Sequence, residues 1–208
     1  GNAETWPFPV LYKIVRGATP DQVVRKNAEG TLDRFIAAAE ELVSDGADAI
    51  TTNCGFLSIF QKELSAAVRV PVLTSSLMQV STVNTLLPDS KKAGILTISK
   101  STLSDAHLRA ANVPSDTPIG TTEDGAEFNR VILNDELQLN IELARLDNIN
   151  AALRMKTNHP DLGAIILECT NMSPYAEAIQ EAVELPVYSI VNFVEWLHAG
   201  LKPKRFFS

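Results

Sequence analysis

Two cysteines carry the thiol chemistry open to this sequence: Cys54 in TTNCGF and Cys169 in LECTNMSPY. When Cys54 is set on Cys169, the segment from Ala47 to Ser76 falls on that from Leu162 to Val191 without a gap. Ala49, Ile50, Ser58, Ala67, Val68, Pro71 and Val72 then meet Ala164, Ile165, Ser173, Ala182, Val183, Pro186 and Val187. Two β-α-β units share an apolar pattern in any case, but coincident cysteines, each with a Ser four residues on, point to an internal repeat and two similar lobes. Each Cys follows an apolar run, which places it at the carboxyl edge of a parallel sheet, where open α/β sheets bind ligands. Each also precedes a helix start: Ser58 with Gln61 has the spacing of a capping box, and Ser173–Pro174 reads as an N-cap followed by Pro at the first helical position. The positive end of a helix dipole lowers a thiol pKa from about 8.5 toward neutrality. Lobes facing each other about a pseudo-twofold axis would set one acid/base thiol on either side of a small ligand. That pairing suits inversion at a carbon bearing a weakly acidic hydrogen, one thiolate removing the proton and the opposite thiol returning one. The developing charge on the neighbouring carboxylate needs aligned donors. Thr52 and Asn53 before Cys54, Thr170 and Asn171 after Cys169, helix-start amides, and hydroxyls after other strands such as Ser99 are the candidates.

The elements that must position these groups read as an alternation. Short β-branched runs at residues 10–15, 49–52, 70–73, 93–99, 164–167 and 187–190 are candidate strands. Amphipathic segments lie between them, at residues 31–44, 58–68, 77–87, 103–111 and 135–156. The last has Leu137, Ile141, Leu143, Leu146, Ile149 and Leu153 as its apolar positions and stops before Pro160. Strands alternating with helices imply parallel sheets covered on both faces, so the fold class is α/β.

The 208 residues are 45% hydrophobic and 21% charged, with net charge −7, a globular profile. An acidic balance excludes the Lys/Arg surplus that phosphate binding requires, so no nucleic-acid partner is expected. No apolar run is long enough to span a bilayer and no secretory leader is visible, so no membrane partner is expected either. Two cysteines form no disulfide framework, which suits a cytoplasmic location. His107, His159 and His198 are too scattered for a metal site and read as structural or solvated. Arg16 after the first candidate strand is as much a surface residue as a carboxylate binder. Dinucleotide, P-loop, zinc-protease and hydrolase-elbow motifs are missing, so neither cofactor nor metal is expected. The chain opens at Gly1 without Met, which reads as a cropped product with sequence missing upstream.

Through TTNCGF, LECTNMSPY and the Pro-Val strands downstream, the chain resembles the aspartate/glutamate racemase superfamily over nearly its whole length. That group includes hydantoin racemases, maleate isomerases and arylmalonate decarboxylases. The resemblance implies two pseudo-symmetric flavodoxin-like lobes with an interlobe active-site cleft: residues 1–91 as lobe 1, with a C-terminal helix at 191–208 packing back on it, and residues 92–190 as lobe 2. It implies Cys54 and Cys169 as the paired acid/base residues, Thr170 as a carboxylate ligand, no cofactor, and a homodimer as the common assembly. The sequence departs from the family at Gly55 and Phe56, where Cys-Asn-Thr is usual; at Asn171, where His or Glu is usual; and at its start, where no opening strand is visible before Val10. Gly55 and Phe56 thus join the candidate substrate-binding residues, Phe56 as a group that would make the pocket more apolar. The expected activity is a cofactor-independent racemase acting on a small carboxylate such as aspartate or glutamate. The rivals are a maleate-type isomerase, a hydantoin racemase, a decarboxylase, or a two-lobed binder that has lost catalysis.

Overall fold

The computed structural model describes residues 2–206, and among them the strands form two parallel sheets. The smaller pairs β1 (Ile50–Thr51) with β2 (Val72–Leu73), Ile50 beside Val72 and Thr51 beside Leu73. The larger runs in the order β4-β3-β5-β6, from β3 (Lys92–Thr97), β4 (Ile119–Thr121), β5 (Leu162–Leu167) and β6 (Val187–Tyr188). Its central strand β5 reads LGAIIL and is buried at every position, as a strand covered on both faces must be. The order of strands is the α/β reading realised. Among the described residues no helix is long and apolar enough to cross a membrane.

Helices α1 (Leu32–Ser44) and α2 (Gln61–Ala67) pack on the small sheet around Ala39, Ile50, Leu64 and Val72. Helix α3 (Val80–Leu86) leaves it and lies against β3, so its Val80 and Val83 join the large core with Ile95, Leu96, Ile165 and Ile166. Helices α4 (Asp105–Ala110), α5 (Phe128–Leu133), α6 (Ile141–Asn158) and α7 (Ala176–Val183) complete the cover of the large sheet. The last helix, α8 (Ile190–Leu201), returns to the small sheet, where Ile190 and Val194 pack with Leu73. Ser189 caps it, accepting from the Val191 amide at 3.2 Å.

Three expectations are corrected. Residues 10–15 form no strand: no neighbouring strand offers them a ladder, and Leu11, Tyr12 and Ile14 stand 55%, 53% and 85% exposed. The long helix does not begin near Asp135, which turns the chain in the left-handed region at φ 55°. It begins at Ile141, with the Asn140 side chain accepting from the Leu143 amide at 3.1 Å. Nor do its leucines face the core. Leu143, Leu146 and Leu153 are exposed, and the helix buries Ala144, Asn148, Ala151, Ala152 and Met155.

Small residues on that face let α6 lie close to the sheet, and two strand glycines receive its one long side chain. A Cβ at Gly120 would sit 2.9 Å from Met155 Sδ, and one at Gly94 would sit 2.1 Å from Met155 Cε and 2.6 Å from Leu162 Cδ1. Gly94→Ala is therefore overpacked in a filled core and is expected to cost about 1–3 kcal/mol. Urea unfolding checks it, and an unchanged midpoint would mean the Met155 pocket has slack.

Candidate active site

Both cysteines stand where a strand has just ended and a short 3-10 turn begins. Cys54 precedes the turn Gly55–Phe60 and Cys169 the turn Thr170–Tyr175. The two turns are in contact. The Thr170 hydroxyl donates to the Asn53 carbonyl at 2.6 Å, joining the segment before one cysteine to the residue after the other. A Cβ on Gly55 would lie 2.3 Å from the Glu168 carbonyl oxygen, so only glycine permits this approach. Ser76, in the 3-10 turn that follows β2, closes the third side by donating to the Leu167 carbonyl at 2.5 Å.

A cleft of about 1980 Å³ opens beside the turns. Thr52, Asn53, Cys54, Thr170, Asn171 and Tyr175 line it, together with the extended residues 10–15. Of the expected substrate ligands, Asn53 and Asn171 are exposed on this wall. Thr52 and Thr170 line it with hydroxyls already given to backbone carbonyls, Thr52 to Thr74 at 2.6 Å. Gly55 is a packing point. Phe56 is 1% exposed and meets the edge of His107 at 5.1 Å, inside the core and away from the cleft wall. Ser99 lies off the wall too, its hydroxyl donating to Glu123 at 2.8 Å. Cys54 is half-buried on the wall, whereas Cys169 is 8% exposed and sits behind it. Arg16 is exposed and off the wall.

The helix starts are not built as expected. Ser58 donates to the His107 carbonyl at 3.1 Å, Gln61 reaches back to β2 to hold Thr74 and the Val72 carbonyl, and the buried Ser173 hydroxyl has no partner. The thiols are not acidified. Amides of Phe56 and Leu57 at Cys54, and of Asn171 and Met172 at Cys169, do pull downward, but burial outweighs them. Loss of water, with a nearby carboxyl adding to it, pushes Cys54 up to about 12 and Cys169 well above its usual value. Cys169 is raised further by Cys54 itself, so the thiols are near enough to feel each other's charge.

That carboxyl is Glu168, a residue the motif reading passed over although a charge closing an all-apolar strand run was there to be read. Glu168 is 1% exposed. Its Oε2 accepts from the Thr97 hydroxyl at 2.8 Å and its Oε1 has no partner. Burial pushes it up to about 7, the Thr97 and Ile98 donors opposing.

No protein-family model matches the chain. Among solved structures, a glutamate racemase from Bacillus anthracis superposes with TM-score 0.59 at 13% identity, covering 90% of this chain and 70% of its own. An aspartate racemase homologue from Pyrococcus horikoshii gives 0.58 at 19%, covering 88% and 80%, and an unliganded arylmalonate decarboxylase 0.53 at 14%, covering 88% and 81%. The fold is the one these racemases and the decarboxylase share. Sequence similarity of this racemase-fold chain leads elsewhere. A dimethylsulfoniopropionate lyase from Durusdinium sp. clade D is 26% identical over 208 residues, 96% of this chain and 68% of its own length. Dimethylsulfoniopropionate lyase 3 from Emiliania huxleyi is 28% identical over 212 residues, 93% of this chain and 53% of its own. The chain thus spans about two thirds of the first and half of the second. These names overturn the expected racemase, and with it the isomerase class: the relatives similar over most of the chain are lyases. The step from two thiols to inversion asked too much of the pair, since a base that removes an α-proton serves elimination equally.

Glu168 fixes a pH dependence of stability. A carboxyl raised from 4.5 to about 7 leaves the fold undisturbed while protonated, at low pH in both states. Stability is lost as pH rises from the ordinary value through the raised one. Glu168→Gln removes that loss, so relative to the parent it gains on the order of 3 kcal/mol between about pH 4.5 and pH 8. Urea titrations across that window read it, and a difference that does not change with pH would show that the carboxyl is solvated.

Proposed function

We propose that the chain is a lyase that eliminates a dialkyl sulfide from a β-sulfonio carboxylate, with dimethylsulfoniopropionate as substrate. What carries this reading is the sequence similarity to lyases of that name across nearly the whole chain, together with a cleft that has Cys54 on its wall and Cys169 directly behind it. In the reaction a thiolate takes a proton from the carbon next to the carboxylate, that C–H pair becomes the C=C bond, and the C–S bond breaks with its electrons left on sulfur. Acrylate and neutral dimethyl sulfide result, and the thiol returns its proton to solvent. One base is enough, so Cys54 and Cys169 are candidates for one role.

The charge pattern supports the same substrate. A sulfonium in the cleft offsets a thiolate charge that burial otherwise penalises, which lowers the cost of forming the base. Tyr175, Glu177, Glu181 and Glu184 line the same cleft, an aromatic and acidic wall suited to a cation. The amides of Asn53 and Asn171, with the backbone N–H groups of the turns, are donors for the carboxylate end.

Incubation with dimethylsulfoniopropionate, with headspace gas chromatography for dimethyl sulfide and liquid chromatography for acrylate, is expected to find the two in equal amounts. The serine variant of the base, Cys54→Ser or Cys169→Ser, should lose at least about 100-fold in kcat. A double variant that still releases dimethyl sulfide at the parent rate would sink the thiol mechanism, and a folded protein releasing none would sink the substrate.

A further inference from the structure

Three acids meet at one point: Cys169 and Glu168, both buried, and Cys54, half-buried at the cleft wall. The carboxyl of Glu168 comes from the residue before Cys169, and its unpartnered Oε1 lies 2.4 Å from where a Cβ of Gly55 would be, beside Cys54. It is thereby packed between the cysteine turns, and its charge acts on both thiols. The donors acting on it are the Thr97 hydroxyl and the Ile98 amide, and the titratable groups on which it acts are the two cysteines. No lysine or arginine among the described residues pairs with it. Cys54 is partly open to the cleft, so its ionisation can be read from outside.

We propose that, once the site has lost its first proton, the cysteine pair and Glu168 hold a single negative charge between them, resting mainly on Glu168 and passing to a thiol only when that thiol's proton moves to the carboxyl. The exchange balances: an S–H bond is lost, an O–H bond forms on Glu168, and the net charge of the site stays at minus one. Two anions in this region would face each other without an intervening cation, whereas a neutral carboxylic acid beside a thiolate costs no such repulsion. Glu168 thus acts through the thiols and not on the substrate. The proposal rests on the thiols as the site's base, as the lyase reading does.

Its signature is in thiol ionisation and needs no turnover. While Glu168 is protonated, the thiolate fraction rises tenfold per pH unit. Once Glu168 ionises, each further proton lost from a thiol must return to the carboxyl, so the fraction levels off, with the bend near pH 7 where Glu168 titrates. The experiment is the rate of iodoacetamide alkylation of the full chain from about pH 5.5 to pH 9, resolved by peptide mass spectrometry for Cys54 and Cys169. The parent protein should bend to a plateau above about pH 7, and Glu168→Gln should climb without a bend to rates at least tenfold above the parent near pH 9. If Glu168→Gln does not fold, Thr97→Val keeps the test: losing a donor to the charged carboxyl moves the bend to higher pH. A parent profile that climbs through pH 9 without a bend, or one on which the variants superimpose, overturns the proposal. Inactivity toward dimethylsulfoniopropionate with the bend intact would instead remove the lyase reading and leave the shared charge standing.

Discussion

The approach of Gly55 to the backbone of Glu168 is the constraint from which the rest of the site follows. The chain after β1 and the chain after β5 meet with no room for a Cβ between them. That closeness is what lets the Thr170 hydroxyl reach the Asn53 carbonyl, and it brings a carboxyl from one turn against a thiol from the other. Within each sheet the strands run parallel, so β1 and β2 share one carboxyl edge and β3 and β5 another, and the chain leaving β1 meets the chain leaving β5 where these edges come together. Core packing then fixes the approach: Phe56 and Leu57 are sunk into the same apolar cluster as Leu167 and Met172, so the turn carrying Cys54 is anchored in the core of the larger sheet.

Burial at this junction decides the electrostatics. Backbone amides at the start of each turn do what dipole arguments say they should, yet desolvation overrides them and leaves both thiols weaker acids than in water. Both thiols therefore rest in the neutral form near neutral pH. That differs from the permanently acidified cysteine of a redox enzyme, since a thiol and not a thiolate is the resting form.

Much of this was legible in the sequence. The strand-Cys-turn-helix repeat and the Pro-led strands placed both cysteines at strand ends, because buried parallel strands write themselves as continuous aliphatic runs such as LGAIIL. Residues 10–15 failed for the complementary reason: the same composition makes a strand only where a partner supplies hydrogen bonds. The face of α6 was misread because its sheet contact is made by alanines and one methionine, so side-chain hydrophobicity pointed the wrong way. Ser58, Gln61 and Ser173 fit capping patterns locally and were drawn into tertiary bonds or burial instead. Glu168 was visible as a residue, but its importance arises from packing against Gly55, which no spacing rule encodes. No reaction could be singled out from the residues for a chemical reason, since the same proton abstraction opens several.

The methionine of α6 has a consequence for how this protein can change over time. Met155 fills the space above Gly94 in β3 and Gly120 in β4, so three positions far apart in the chain share one volume. A larger residue at Gly120 needs a shortened position 155, one at Gly94 needs Leu162 to give as well, and a shortened 155 leaves a void until a glycine gains a side chain. Substitutions here should therefore arrive in linked sets, and the trio forms an evolutionary lock that ties the longest helix to two strands of the sheet.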